Sequence, residues 1–212
     1  MYYAIDWGAV TAAAYYALYS INSGTLPIDP VNNSIIDGNL TILSYQRYSE
    51  ISGVPVAEFT AGNELKDGFS VIKASGKSIV LYDDTAYHPR KKFTVAHEIG
   101  HHTLAHTVHG EKEEIEANFF ASQFLAPTAI FKEIKNRGHL DSYARLIRLM
   151  ELSREAEKKK LAYLEKYGDV LSHSNIYDDY VYEKFKAYLD LHFPPKKGSL
   201  RWVWNENLQR IN

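Results

Sequence analysis

The chain contains no cysteine, and that absence closes three routes at once: disulfide cross-links, cysteine-ligated zinc and thiol catalysis. An imbalance of charge is missing too. The 24 basic residues stand against 26 acidic ones, a formal net charge of −2, so no overall field draws the chain to nucleic acid or to an anionic membrane. Nor is there a long apolar run with basic flanks. The N-terminal apolar stretch, residues 9–18, follows Asp6 and carries Tyr15 and Tyr16, so we expect neither a signal peptide nor a membrane span, and a cytoplasmic location fits. At 212 residues and 45% hydrophobic content, the length suits one moderate domain or a domain with an appendage.

What the chain does have is FTVAHEIGHHTLAHTVH at 93–109, followed by the acidic run EKEEIEANFFASQFLAP at 111–127. His97 and His101 are four apart, which on a helix stacks them on one face with Cβ atoms roughly 5–6 Å apart, close enough to grip one ion. That is zinc-ligand spacing. A hydrolytic zinc site needs a third protein ligand and an open fourth position for water. Glu98 projects about 100° round the helix from His97, beside an ion and not on it. A carboxylate there can take a proton from water whose pKa the metal has lowered to about 7, which makes Glu98 the candidate general base. Phe93, Val95, Ala96, Ile99, Gly100 and Leu104 make the helix largely apolar, so the two histidines are carried inward, where a polar group needs a partner.

Three acids on the next helix compete for the third ligand position: Glu113, Glu114 and Glu116. Glu114 leads the stripe Ala117, Asn118, Ala121, Leu125, whose two alanines let a second helix come close; Glu116 leads the bulkier Phe119, Phe120 and Gln123. We therefore choose Glu114. Asn118, one turn beyond it, is then placed to hydrogen-bond a ligand histidine from behind and fix its tautomer. His102, His106 and His109 form a second stripe, which we read as ordinary helix surface because no acid stands beside it.

HEIGHHTLAH followed by EIEANFFASQFLAP resembles the ImmA/IrrE family of zinc metallo-endopeptidases, with its His-Glu-x-Gly-His, Glu-x-x-Ala-Asn-x-Phe-Ala and Leu-x-Pro segments. The likeness covers about 68–127, and more weakly reaches about 168. It implies one Zn²⁺ held by His97, His101 and Glu114, Glu98 as base, and an α+β zincin-like fold with a small antiparallel or mixed sheet. It further implies intracellular, site-specific cleavage of a helix-turn-helix repressor governing a phage, mobile element or stress response.

Elsewhere the pattern places a helical face at Val10, Ala14, Ala17 and Ile21, a strand over 39–48, a short helix over 51–59 interrupted at Pro55, and a hairpin at 68–73 and 78–82. By the resemblance, the strand just before the metal helix edges the cleft and can accept an extended substrate. Tyr82, Tyr87 and His88 are candidate donors to the oxyanion of a tetrahedral intermediate. Past Pro127, Thr128 is a plausible cap for a helix over 129–136, and 141–150 with 153–167, capped by Ser153, resemble a helix-turn-helix. Arg145, Arg148, Arg154, Lys158, Lys159, Lys160 and Lys166 against Asp141, Glu151, Glu155, Glu157 and Glu165 leave only +2 there, too interleaved for a phosphate-tracking face, so we do not expect DNA binding. In the tail, Val181, Phe185, Tyr188 and Leu189 mark a helix, and Leu200, Trp202 and Trp204 alternate as a strand would. The expected division is a peptidase domain over 1–132, a helical subdomain over 133–168 and an aromatic-rich extension over 169–212. The alternative function is a non-catalytic regulator that binds a repressor or DNA through the helical part.

Overall fold

A computed structural model describes residues 4–32, 38–61, 67–73, 75–108, 110–139, 143–167 and 176–211. The chain is α+β, mostly helical around one three-stranded sheet, and it packs as two compact units. The first comprises Met1–Asn22 and Asp29–Leu125; the second comprises Ser23–Ile28 and Ala126–Asn212.

In the first unit, α1 (Trp7–Tyr19) starts where the Asp6 carboxylate accepts the Ala9 N–H at 2.9 Å, a side-chain N-cap. Its Val10, Ala14, Ala17 and Leu18 are buried, and the Trp7 ring meets Phe119 edge-on at 4.7 Å. Strand β1 (Leu40–Ser44) gives way at Ser44, whose hydroxyl accepts the Arg47 N–H at 3.0 Å and opens α2 (Tyr45–Ser52). The strand expected over 39–48 is thus cut short: a cap beats continued alternation. Gly53 at φ 73° closes α2, and Pro55 precedes the single turn α3 (Val56–Phe59).

Strands β2 (Gly68–Ile72) and β3 (Ser78–Tyr82) pair antiparallel, and β1 joins β3 in parallel, giving the order β1-β3-β2. The strand next to the metal helix is therefore the centre of the sheet, not its edge. The reason lies in its residues: Ile79, Val80 and Leu81 are all buried, the continuous apolar run of a strand covered on both faces. The edges among the described residues are β1 and β2.

Helix α4 (His88–Thr103) lies across this sheet. At one end His102 Nδ1 stands 2.9 Å from the Ser78 hydroxyl; midway along, β2 comes so close that a Cβ on Gly68 would sit 2.5 Å from Thr94 Cγ2. Val95, Ala96 and Ile99 are buried beneath it, the first and last contributing roughly 1.5–3 kcal/mol each by leaving water. Helix α5 (Glu111–Leu125) packs on α4 through Ala117, Phe120, Ala121 and Phe124, all fully buried. Gly100 permits this approach, since a Cβ there would lie 3.0–3.2 Å from Phe120.

The second unit contains α6 (Thr128–Asn136), α7 (Tyr143–Arg148), α8 (Arg154–Tyr167), α9 (Ile176–His192) and α10 (Leu200–Ile211), with α6 packed on α9 and α7 on α8. Pro127, not Thr128, stands at the N-cap of α6; Thr128 is buried in the first turn. Ser153 caps α8, accepting the Ala156 N–H at 3.3 Å. The tail expected to be a strand is α10, because the Ser199 hydroxyl accepts the Trp202 N–H at 3.2 Å and starts a helix that three alternating residues cannot outweigh. Glu133 is buried between two guanidiniums: Arg137 Nε at 2.7 Å and a two-pronged Arg201 at 2.9 and 2.5 Å. Arg137 also reaches Asp190 at 2.9 Å and the Phe193 carbonyl at 3.1 Å.

Candidate metal centre

Helix α4 presents His97 and His101 one turn apart, and α5 brings Glu114 to face both. His97 Nε2 and His101 Nε2 are 3.0 Å apart; the Glu114 oxygens lie 3.3 Å from the first and 3.4 Å from the second. Each carboxylate oxygen thus faces one imidazole, Oε2 toward His97 and Oε1 toward His101, and the three side chains close a triangle. A tetrahedral ion with ligand bonds of about 2.0–2.1 Å spaces its donors about 3.3 Å apart. Two imidazole nitrogens and a carboxylate at these separations fit such an ion.

Glu98 sits beside this triangle, buried, with Oε2 unpartnered among the described residues. An unpaired carboxylate oxygen in an interior is costly, and it is the arrangement expected where a water or substrate atom completes the site. Tyr45, opening α2, is the nearby group that the sequence did not disclose. Burial first, then the carboxylates of Asp83, Asp67 and Glu98, push its phenol up to about 12, so it keeps its proton at neutral pH. Its ring packs between Phe59 and Phe69, at 5.8 and 5.9 Å.

The three acids of α5 divide their tasks. Glu114 faces the histidine pair, Glu116 Oε2 lies 3.2 Å from His106 Nε2, and Glu113 folds back toward Gly110, its Oε2 within 2.5 Å of where a Cβ would stand. Asn118 does not reach a ligand histidine: it is exposed, about 120° round the helix from the centre of the buried Ala117–Phe124 stripe. The group behind His101 is His106, with the two Nδ1 atoms 2.9 Å apart. The expected stripe of His102, His106 and His109 is not a continuous one. Helix α4 ends at Thr103, Ala105 takes φ 54°, and His106 leaves the helical path; His109 lies outside the described residues. A histidine five residues after a ligand was visible in the sequence, but nothing marked the left-handed alanine that redirects it.

The candidate oxyanion donors gather at the far end of α4. His88 pairs with Asp29 at 2.9 Å, and Tyr82 is raised by burial and by Asp84 and Asp29. Tyr87 and His88 precede His97 by nine or ten residues, about 13–15 Å along the axis.

No curated protein and no solved structure matches this sequence. The family model described as Peptidase_M78, IrrE N-terminal-like domain, matches residues 49–162, more than half of the chain and including every residue of the triangle. The chain therefore belongs to the M78 peptidase family, as the resemblance in its metal helix implied.

Proposed function

We propose that this protein is a zinc-dependent endopeptidase acting in the cytoplasm on a helix-turn-helix repressor, at one specific bond. The observation that carries the peptidase reading is the triangle of His97, His101 and Glu114 with an unpartnered, buried Glu98 oxygen beside it. The repressor rests on the family resemblance alone. No described helix is long and apolar enough to cross a membrane.

A bound zinc ion would supply Lewis acidity to the scissile carbonyl and to the attacking water. His97, His101 and Glu114 would hold it. Glu98 accepts the proton of the attacking water at Oε2 and returns it to the departing amine nitrogen, so no covalent adduct with the chain is required. Burial of Glu98 keeps bulk water from competing for that proton. The main-chain groups of the edge strand β2, which approaches α4 at Gly68, are available to an extended peptide laid alongside as a further strand.

Two of the basic residues on the α7–α8 pair contribute little free charge to a phosphate-binding face. Lys159 is paired to Glu155 at 2.7 Å, and Lys160 is buried.

Metal content by mass spectrometry and incubation with a repressor encoded nearby test the reading. Parent protein should carry one zinc, Glu114→Ala none. Glu98→Gln should keep its zinc and cut about 10²–10⁴-fold more slowly. Equal cutting by Glu98→Gln and parent would remove Glu98 as the base, and zinc binding without cutting of any candidate would leave a regulator in place of an enzyme.

A further inference from the structure

Behind His101 stands a second imidazole, and behind that a carboxylate. His106 Nδ1 is 2.9 Å from His101 Nδ1, and His106 Nε2 is 3.2 Å from Glu116 Oε2. The three side chains are only 4%, 6% and 12% exposed, so these contacts are not shared freely with water. We propose that His106 and Glu116 are positioning residues for the metal centre, a two-step hydrogen-bond chain that fixes which nitrogen of His101 is offered to the ion. This rests on the metal reading of the preceding section.

The direction of each hydrogen bond follows from counting protons. A neutral imidazole has one N–H. His101 Nε2 faces His97 and Glu114 and, as a ligand, must be bare, so its proton is on Nδ1 and is donated to His106 Nδ1. His106 Nδ1 then accepts, which places its own proton on Nε2, aimed at Glu116. The carboxylate ends the chain, with Lys112 3.6 Å from its other oxygen. Every donor meets an acceptor, and the sequence of tautomers has one solution. The negative end makes His101 a stronger electron donor to the ion.

The backbone is built for this contact. Had α4 continued, His106 would point about 140° away from His101. Instead Ala105 turns left-handed at φ 54°, the His106 N–H is donated to the His101 carbonyl at 3.0 Å, and the Ala105 N–H to the His102 carbonyl at 3.1 Å. That is the pairing of a Schellman turn, normally closed by glycine, here formed by a residue that strains to adopt it. The turn folds the His106 ring back onto His101, centroids 5.0 Å apart.

The test is zinc affinity of the full-length protein by chelator competition, with melting of the metal-free form alongside. His106→Leu should weaken zinc binding about 10–100-fold. His106→Asn, whose side-chain oxygen replaces the accepting Nδ1, should recover a large part of that loss, which a packing role would not predict. Glu116→Gln, similar in shape but uncharged, should weaken binding less, by up to about tenfold. In ¹⁵N NMR of the zinc-loaded parent, His106 should show the Nε2–H tautomer; this readout stands even if His106→Leu fails to fold. Parental affinity in folded His106→Leu, an asparagine variant no better than leucine, or the opposite His106 tautomer would each overturn the proposal while leaving the peptidase reading intact. A parent that binds no zinc would overturn both.

Discussion

Each unit of this protein buries a polar cluster, and the two clusters are opposites. Around Glu133, an anion is matched by Arg137 and Arg201, and Arg137 has Asp190 and a carbonyl besides. It is complete as it stands. Around His97, His101 and Glu114, three electron-pair donors converge within 3.0–3.4 Å, with His97 Nδ1 and Glu98 Oε2 left unpartnered among the described residues. A closed network of charge holds helices together; an open one asks for something to arrive.

Breaking the closed cluster is the largest effect to look for. Glu133→Ala removes the buried carboxylate that Arg201 and the fully buried Arg137 share, and should cost about 3–5 kcal/mol in chemical denaturation. Breaking the open one should go the other way. His97→Leu should leave the metal-free protein as stable as parent or more so, because it removes a ring whose Nδ1 is buried without a hydrogen-bond partner. It should also abolish the stabilisation by zinc, about 4 kcal/mol for the parent at a free concentration a thousand times Kd.

Lys160 sharpens the comparison, being a second almost fully buried basic side chain of the same unit. Its ammonium stands 3.3 Å from the Thr128 hydroxyl and 5.2 Å from the Tyr163 ring centroid, and burial lowers its pKa from 10.5 to about 7. Between those values the unfolded chain holds a proton that the folded chain does not. Stability should therefore rise with pH from about 7 toward 10.5, on the order of 1 kcal/mol per pH unit, and level off above. Denaturation curves at pH 7, 8 and 9 would show the slope, and Lys160→Met should flatten it. The smallest effect belongs to the strained turn: Ala105→Gly should raise thermal stability by up to about 1 kcal/mol, with His106 still in place.

How much of this was legible beforehand depended on how local the cause was. That His97 and His101 share one face was readable because a four-residue interval on a helix is geometry in itself. Glu114 was readable because small residues beside it announced a close helix, although the true centre of that face lies nearer Ala117 and Phe124, which is why Asn118 falls outside it. His106 and Tyr45 were not readable. One depends on a left-handed alanine, the other on a strand that stops at Ser44 and turns its next residue inward. Leu200, Trp202 and Trp204 misled because an alternation of three is weaker than one serine cap. The central place of β3 follows from the parallel pairing with β1, a contact between residues nearly forty positions apart that no local pattern encodes.

The legs of the triangle are unequally sheltered: His101 is 4% exposed and His97 15%, while Glu114 is 44% exposed. The centre thus has a sheltered side and an open one. An ion held there would meet solvent over the carboxylate, with the imidazole pair behind it in α4. A chelator should therefore remove it without the protein unfolding.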